Sequence, residues 1–280
     1  MTPNRRSYRL SVAIPASLVS EYANIREKTE IIGRIARSAA IFRVEEIVVY
    51  QDQPDESSLI KVILGYIETP QYLRKYFYKF RPELQYAGAL PPLRTPHHQL
   101  EAKAANLSEG EYREGILLDQ KGINVVDIGV EIPVQLVGKA PSQGSRITIK
   151  IIKTLPDPRC EMVKRREIQT YWGYDIQASK KTLGELTSSG FYDLTIATSR
   201  TGIRITEQQE LLKAGLAEAR NVLVAFGSPR KGIPELLRHD GKSADNHFQF
   251  TLNTIPEQGT ETVRTEEAAH ATLAVLNLFS

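Results

Sequence analysis

The sequence predicts an α/β domain assembled from both ends of the chain, with a β-rich module inserted between them. Three observations carry that prediction. Strand-like and helix-like patterns alternate over residues 1–90 and again after Gly184, as in a parallel sheet covered by helices. Residues 112–174 read instead as short strands separated by glycine, proline and polar turns. Between the two lies YAGALPPLRTPHH, residues 86–98, whose prolines and lack of periodicity mark a boundary. The expected division is 1–90 and 171–280 for the α/β domain and 91–170 for the module.

Each element has its own signal. YRLSVAI, apolar and β-branched, is the first strand, and Pro15 cuts its apolar run too short for a signal peptide. Residues 16–42 are expected to be largely helical. Ile31, Ile35, Ser38 and Phe42 fall on one face there, and Arg34 and Arg37 on a neighbouring one. EEIVVY is a buried strand, DQPDESS a polar loop and SLIKVILGYIE the next helix. In the middle, YREGILLD, INVVDIG, EIPVQLVG, RITIKII and IQTYWGYDI suit a small antiparallel barrel or sandwich. Buried strands return with FYDLTIATS, VLVAF and FQFTLNTI. TEQQELLKAGLAEA is a helix with Thr206 as its cap. TEEAAHATLAVLNLF is another, capped by Thr265, with Glu266 and Glu267 suited to its positive end.

Composition narrows the function. The 280 residues are 41% hydrophobic and 25% charged, the balance of a soluble globular protein. No stretch approaches the roughly 18–20 apolar residues of a membrane span, so no membrane partner is expected. The single cysteine, Cys160, rules out a disulfide framework and a cysteine zinc cluster, and fits a reducing cytoplasm. No residue pattern suggests a metal site. A net charge of +3 does not by itself indicate nucleic acid.

One local cluster says more. YLRKYFYKFRPEL, residues 72–84, interleaves aromatic side chains with Arg74, Lys75, Lys79 and Arg81. Two readings stand: aromatics that stack bases while cations meet phosphates, or an amphipathic helix whose aromatics enter the core. His97 and His98, if on a strand, point to opposite sides and make a poor metal pair; contact with RNA is their alternative use. His247 and His270 read as structural, and Trp172 as packing where the module rejoins the main domain.

VLVAFGSPRKGI carries the G-x-x-x-x-G spacing of a phosphate loop at Gly227 and Gly232. Such a loop needs Lys and then Ser or Thr after its second glycine, but Ile233 and Pro234 stand there. Pro229 also removes an N–H that a phosphate nest would use. What remains is a strand end opening into a glycine-bearing loop, the usual ligand position in an α/β sheet. TIATSRTG and LNTIPEQGTETVRTEE end two further strands in the same manner. Three such loops, made largely of backbone and small polar groups, suit an adenine ring and a carboxylate, as in a methyl-donor pocket.

At this point the chain resembles the SPOUT class of methyltransferases. NIREKTEIIGRIARSAAIFRVEEIVVY is similar to their first motif, VLVAFGSPRKGI to the second and NTIPEQGTETVRTEEAAHATLAVLN to the third. RKYFYKFRPELQYAGALPPLRTPHH and YREGILL extend the likeness, over nearly the whole chain, to the archaeal and eukaryotic RNA uridine-N3 methyltransferase subfamily. The resemblance implies a trefoil-knotted α/β domain and an inserted OB-like RNA-binding barrel. It also implies a homodimer and bound S-adenosyl-L-methionine. Donor contacts would come from Thr198, Ser199 and Gly202; from Phe226, Gly227 and Gly232; and from Asn253, Thr254, Ile255, Gln258 and Gly259. Arg37 would be catalytic, and Arg74, Lys75, Arg94, His97, His98, Arg113 and Arg230 would meet RNA.

Two departures bear on the product. The ribose-methylating relatives carry asparagine where this chain has Ile31, and Ser-Leu-Asn where it has VRTEEAA. A base nitrogen is therefore favoured over a ribose hydroxyl, with Glu261, Glu266 and Glu267 as open choices for a base. Two other functions also fit the motifs: a protein arginine methyltransferase of the translation apparatus, and a non-catalytic RNA-binding protein that keeps the fold.

Overall fold

The computed structural model describes residues 3–239, Gly241 and 247–279. The chain forms two compact units, one of residues 5–68, 82–93 and 173–280 and the other of residues 1–4, 69–81 and 94–172. Residues 69–81, with their aromatic and basic side chains, thus group with the second unit.

The first unit is a six-stranded sheet in which every pair is parallel. Its strands are β1 (Arg9–Pro15), β2 (Glu46–Tyr50), β8 (Asp175–Ala178), β9 (Leu194–Arg204), β10 (Asn221–Ala225) and β11 (Phe250–Asn253). They lie in the order β11-β9-β10-β1-β2-β8. Strand side chains alternate between faces. Leu10, Val12 and Ile14 therefore enter one core with Val222 and Val224, while Ala13, Leu223 and Ala225 enter the other. A sheet covered on both faces explains the unbroken apolar runs EIVVY and VLVA.

The helices of this unit are α1 (Ile25–Ile41), α2 (Ser57–Glu68), α4 (Leu183–Thr187), α5 (Gln209–Glu218), α6 (Ile233–His239) and α7 (Thr265–Leu276). Three boundaries correct the expectations above. Helix α1 begins only at Ile25, because the Asn24 side chain accepts the Glu27 N–H at 2.9 Å and caps it there. Thr206 lies in a short 3-10 turn, so Gln208 and not Thr206 precedes α5. Thr265 is the first residue of α7; its N-terminal turn is closed by Glu267, which accepts the Arg264 N–H at 3.0 Å.

The second unit is a closed barrel of β3 (Tyr112–Gln120), β4 (Ile123–Asp127), β5 (Val134–Val137), β6 (Arg146–Lys153) and β7 (Arg159–Met162). It closes in the order β3-β4-β5-β7-β6, and its β5–β7 pair is parallel, where an all-antiparallel module was expected. IQTYWGYDI is not one strand: residues 168–173 are irregular, and only residues 175–178 form β8, in the other unit. Helix α3 (Gln71–Phe77) packs on the barrel through Tyr72, whose hydroxyl donates to the Glu114 carbonyl at 2.8 Å. Tyr76 donates to Asp127 at 2.6 Å. These two aromatics follow the amphipathic-helix reading. Phe80, beyond the helix, is 98% exposed between exposed Lys79 and Arg81.

Trp172 is buried in the barrel unit and donates its indole N–H to Glu114 at 2.6 Å. Cys160 is buried in the barrel core, and burial pushes its thiol up to about 12.

Candidate active site

The carboxyl ends of β9, β10 and β11 lie side by side, and each opens into an irregular segment. In an open α/β sheet this edge is where ligands bind.

The first segment is an excursion within β9. Ala197 pairs with Thr251, but the next pair is Ile203 with Leu252, so residues 198–202 leave the ladder. Gly202 makes the return possible, since a β-carbon there would stand 2.7 Å from the Thr251 carbonyl oxygen. Thr198 is held by its hydroxyl, which donates to the Ala225 carbonyl at 3.0 Å. Asn253 fixes the excursion by donating to the Arg200 carbonyl at 2.9 Å.

The second segment is the G-x-x-x-x-G loop. Phe226 is buried; its N–H donates to Ala13 and its carbonyl accepts the Tyr50 hydroxyl at 2.8 Å. Tyr50 is fully buried, and burial, with nearby Asp52, raises its pKa well above the ordinary value, so it remains a donor. The loop then closes on itself: the Ser228 N–H donates to the Lys231 carbonyl at 2.9 Å, and the Lys231 N–H to the Ser228 hydroxyl at 3.1 Å. A β-carbon on Gly227 would lie 2.9 Å from that same Lys231 carbonyl oxygen. The Gly232 N–H goes to Glu235 at 3.2 Å. Amides that a phosphate cradle would need are thus committed within the loop, in keeping with its missing Lys-Ser/Thr pair.

The third segment follows β11. The Asn253 side chain accepts the Ile255 N–H at 3.0 Å, and Gln258 donates to the carbonyls of Thr260 and Glu261 at 2.9 and 3.2 Å. Arg200 reaches the Glu261 carbonyl at 2.7 Å and ties the third segment to the first. Thr265, at the start of α7, donates to the Gly227 carbonyl at 3.3 Å and ties it to the second.

Together the segments enclose a cleft of about 510 Å³, a size suited to a small ligand. Thr198 and Ser199, Phe226, Gly227 and Gly232, and Asn253, Thr254, Ile255 and Gln258 all line it. Gly202 and Gly259 do not: Gly202 serves the chain crossing, and Gly259 faces open space. Sequence reasoning missed Pro234, Glu235 and Arg238 of α6 and Thr265 and Ala268 of α7, which also line the cleft. The helix pattern of α7 was legible, but nothing in it announced that its first turn would line the cleft.

The three acids separate by position. Glu261 lines the cleft. Glu266 is buried and accepts the Tyr22 hydroxyl at 3.4 Å, and Glu267 closes the first turn of α7.

Arg37 is not among the lining residues. Its guanidinium donates to the carbonyls of Pro92 and Leu93, both at 3.0 Å. One turn earlier, a β-carbon on Gly33 would meet Leu90 at 2.7 Å. These two positions of α1 therefore dock residues 90–93.

The expected RNA contacts divide by burial. Arg230 is exposed, lines the cleft and lies 3.6 Å from Glu21; Arg94 is exposed with φ +53. Lys75 lies 3.5 Å from Asp127, and Arg74 donates to the Thr69 carbonyl at 2.9 Å. His97 and His98 sit in a turn, not on a strand, with ring centres 4.3 Å apart. His97 is fully buried, and Arg113, 1% exposed, bonds Glu111 and the Glu101 carbonyl. Burial gives both of these a place inside the barrel unit and takes them off its surface.

A family described as "Putative RNA methyltransferase" matches residues 9–276. The chain belongs to this family of RNA methyltransferases. An uncharacterized protein of Halobacterium salinarum is 35% identical, covering 96% of this chain and 98% of that protein. A human protein named 28S rRNA (uridine-N(3))-methyltransferase is 32% identical, covering 97% of this chain and 78% of its own length. A Drosophila melanogaster protein of the same name is 32% identical, over 95% of this chain and 61% of its own length. In this methyltransferase glycines at 202 and 227 let the chain pass close to itself, and threonine and asparagine side chains hold the three segments around the cleft.

Proposed function

We propose that this methyltransferase moves the methyl group of S-adenosyl-L-methionine to N3 of a uridine in ribosomal RNA. The convergence of three backbone-rich segments on one cleft supports a donor with an adenine ring and a carboxylate. The names of the human and fly relatives support the nucleotide and the RNA. In this reading the unit that carries the parallel sheet is a SPOUT trefoil-knot fold. The unit that carries the barrel is an OB-like RNA-binding module. A five-stranded barrel in the order β3-β4-β5-β7-β6 supports that assignment.

The acceptor nitrogen must lose its proton and line up behind the donor methyl group. Positioning supplies much of such an acceleration. Glu261, in the cleft, is the base. The protein works as a homodimer in the cytoplasm, and Arg37 reaches the site of a second copy, which accounts for its absence from the cleft of its own chain. Phe80, with Lys79 and Arg81 beside it, offers an aromatic face and two cations to unpaired RNA.

The test is incubation with labelled donor and ribosomal RNA, followed by nucleoside mapping. Label in 3-methyluridine is the expected result; label in protein, or in another nucleoside, would overturn the reading. Arg37→Ala should keep donor binding and lose turnover.

A further inference from the structure

We infer that Lys231 and Arg238 form a seat for an RNA phosphate, which brings the target nucleotide to the donor. The inference rests on the RNA-methyl-transfer reading above and assigns one wall of the same cleft to the substrate.

Six charged side chains line the cleft; Glu261 is the base of that reading, and three others are already engaged. Glu235 accepts the Gly232 N–H, Arg200 donates to the Glu261 carbonyl, and Arg230 lies 3.6 Å from Glu21. Lys231 and Arg238 are different. Among the described residues neither makes an ion pair, and the one side-chain bond of Arg238 runs from Nε to its own helix, at the Pro234 carbonyl, 3.3 Å away. The rest of the Arg238 guanidinium and the Lys231 ammonium stay available to a ligand.

The charge of that ligand follows from chemistry. S-adenosylmethionine carries a sulfonium, an ammonium and a carboxylate, a net positive charge. The wall carries four cations against Glu235 and Glu261, a net positive charge that opposes donor binding unless an anion arrives as well. RNA brings one negative charge per nucleotide, and a guanidinium fork matches phosphate oxygens in a bidentate manner. Arg238 therefore orients, with Lys231 as the second point charge. Both are positioning residues, since neither needs to touch the reacting nitrogen.

The experiment measures two affinities on the full chain and on Arg238→Ala, Arg238→Lys and Lys231→Ala. A labelled, uridine-containing single-stranded RNA is titrated by fluorescence anisotropy over a salt series, and S-adenosylmethionine is titrated by calorimetry. Arg238→Ala is expected to weaken RNA binding about tenfold, the loss of one charge-assisted contact. The slope of log affinity against log salt should become shallower by about 0.7, with Arg238→Lys recovering part of both and donor affinity unchanged. Unchanged RNA affinity and slope would overturn the inference. So would a loss of donor affinity in place of RNA affinity, which assigns the pair to the donor carboxylate, or loss of both without recovery in Arg238→Lys. A wild-type protein that transfers no methyl group, yet whose RNA binding responds to Arg238→Ala in this way, faults the catalytic reading and leaves the phosphate seat standing.

Discussion

Glu114 in the barrel and Glu261 in the cleft are the same carboxylate in opposite circumstances. Glu114 is 2% exposed and takes hydrogen bonds from Arg146, Thr148 and Trp172, each at 2.6 Å. Burial alone pushes its pKa up, but Arg146, Arg165 and His97 outweigh that and hold it below the ordinary value. Glu261 is exposed, and among the described residues its carboxylate makes no ion pair. A charge removed from water must be matched by its own chain, or the unit does not form. One left at the lip of a cleft costs little and stays available. Glu114 is thus committed to holding the barrel unit together, whereas Glu261, at the edge of the parallel sheet, is left to a ligand.

The largest expected effect breaks the matched side. Glu114→Ala takes from the half-buried Arg146 guanidinium, the Thr148 hydroxyl and the Trp172 indole N–H the carboxylate they share, and should destabilise the barrel by about 3 kcal/mol. Trp172 is the only tryptophan in the chain and bonds Glu114, so its fluorescence reports this unfolding directly. The pH dependence follows from the lowered folded pKa. The stabilisation from Glu114 is complete above the unfolded value of about 4.3 and is lost as pH falls through the lower folded one. An acid unfolding curve followed at Trp172 should lose that component in the variant.

Next comes the unmatched side. Gly227→Val sets a β-carbon against the Lys231 carbonyl and opens the turn, at a cost of about 3 kcal/mol. Calorimetry should then show donor binding weakened about 100-fold, and Trp172 fluorescence should still report an intact barrel. Tyr50→Phe is smaller. It removes one buried hydrogen bond to the Phe226 carbonyl, about 1 kcal/mol, and should weaken donor binding several-fold with little change in RNA affinity. Gly259→Ala is the smallest: nothing lies within 4 Å of the added carbon, and donor affinity should stay within experimental error. A large effect there would return Gly259 to the donor contacts.

Legibility from sequence tracked how local each feature was. β2 and β10 were readable because a doubly covered parallel strand is an unbroken apolar run, and α2 because its periodicity spans three turns. The cap at Thr265 was misplaced by one residue, since Glu267 reaches back to Arg264 instead. IQTYWGYDI reads as one strand by β propensity, yet it passes from one unit to the other, and Trp172 answers to Glu114 rather than to a strand neighbour.

The sequence by itself determined which segments would open the ends of the strands, because glycines at 202, 227 and 232 and the polar residues around them are unsuited to sheet interiors. It also determined that the loop around Gly227 would not be a nucleotide phosphate loop, since that motif needs Lys and then Ser or Thr after its second glycine. Only the tertiary structure decided that Gly202 serves a chain crossing, that α6 contributes Arg238 to the cleft, and that His97 and Arg113 belong to an interior. The physical reason is range. Turn geometry and hydrophobic period act over a few residues, whereas burial and ion pairing depend on which distant segments fold against them.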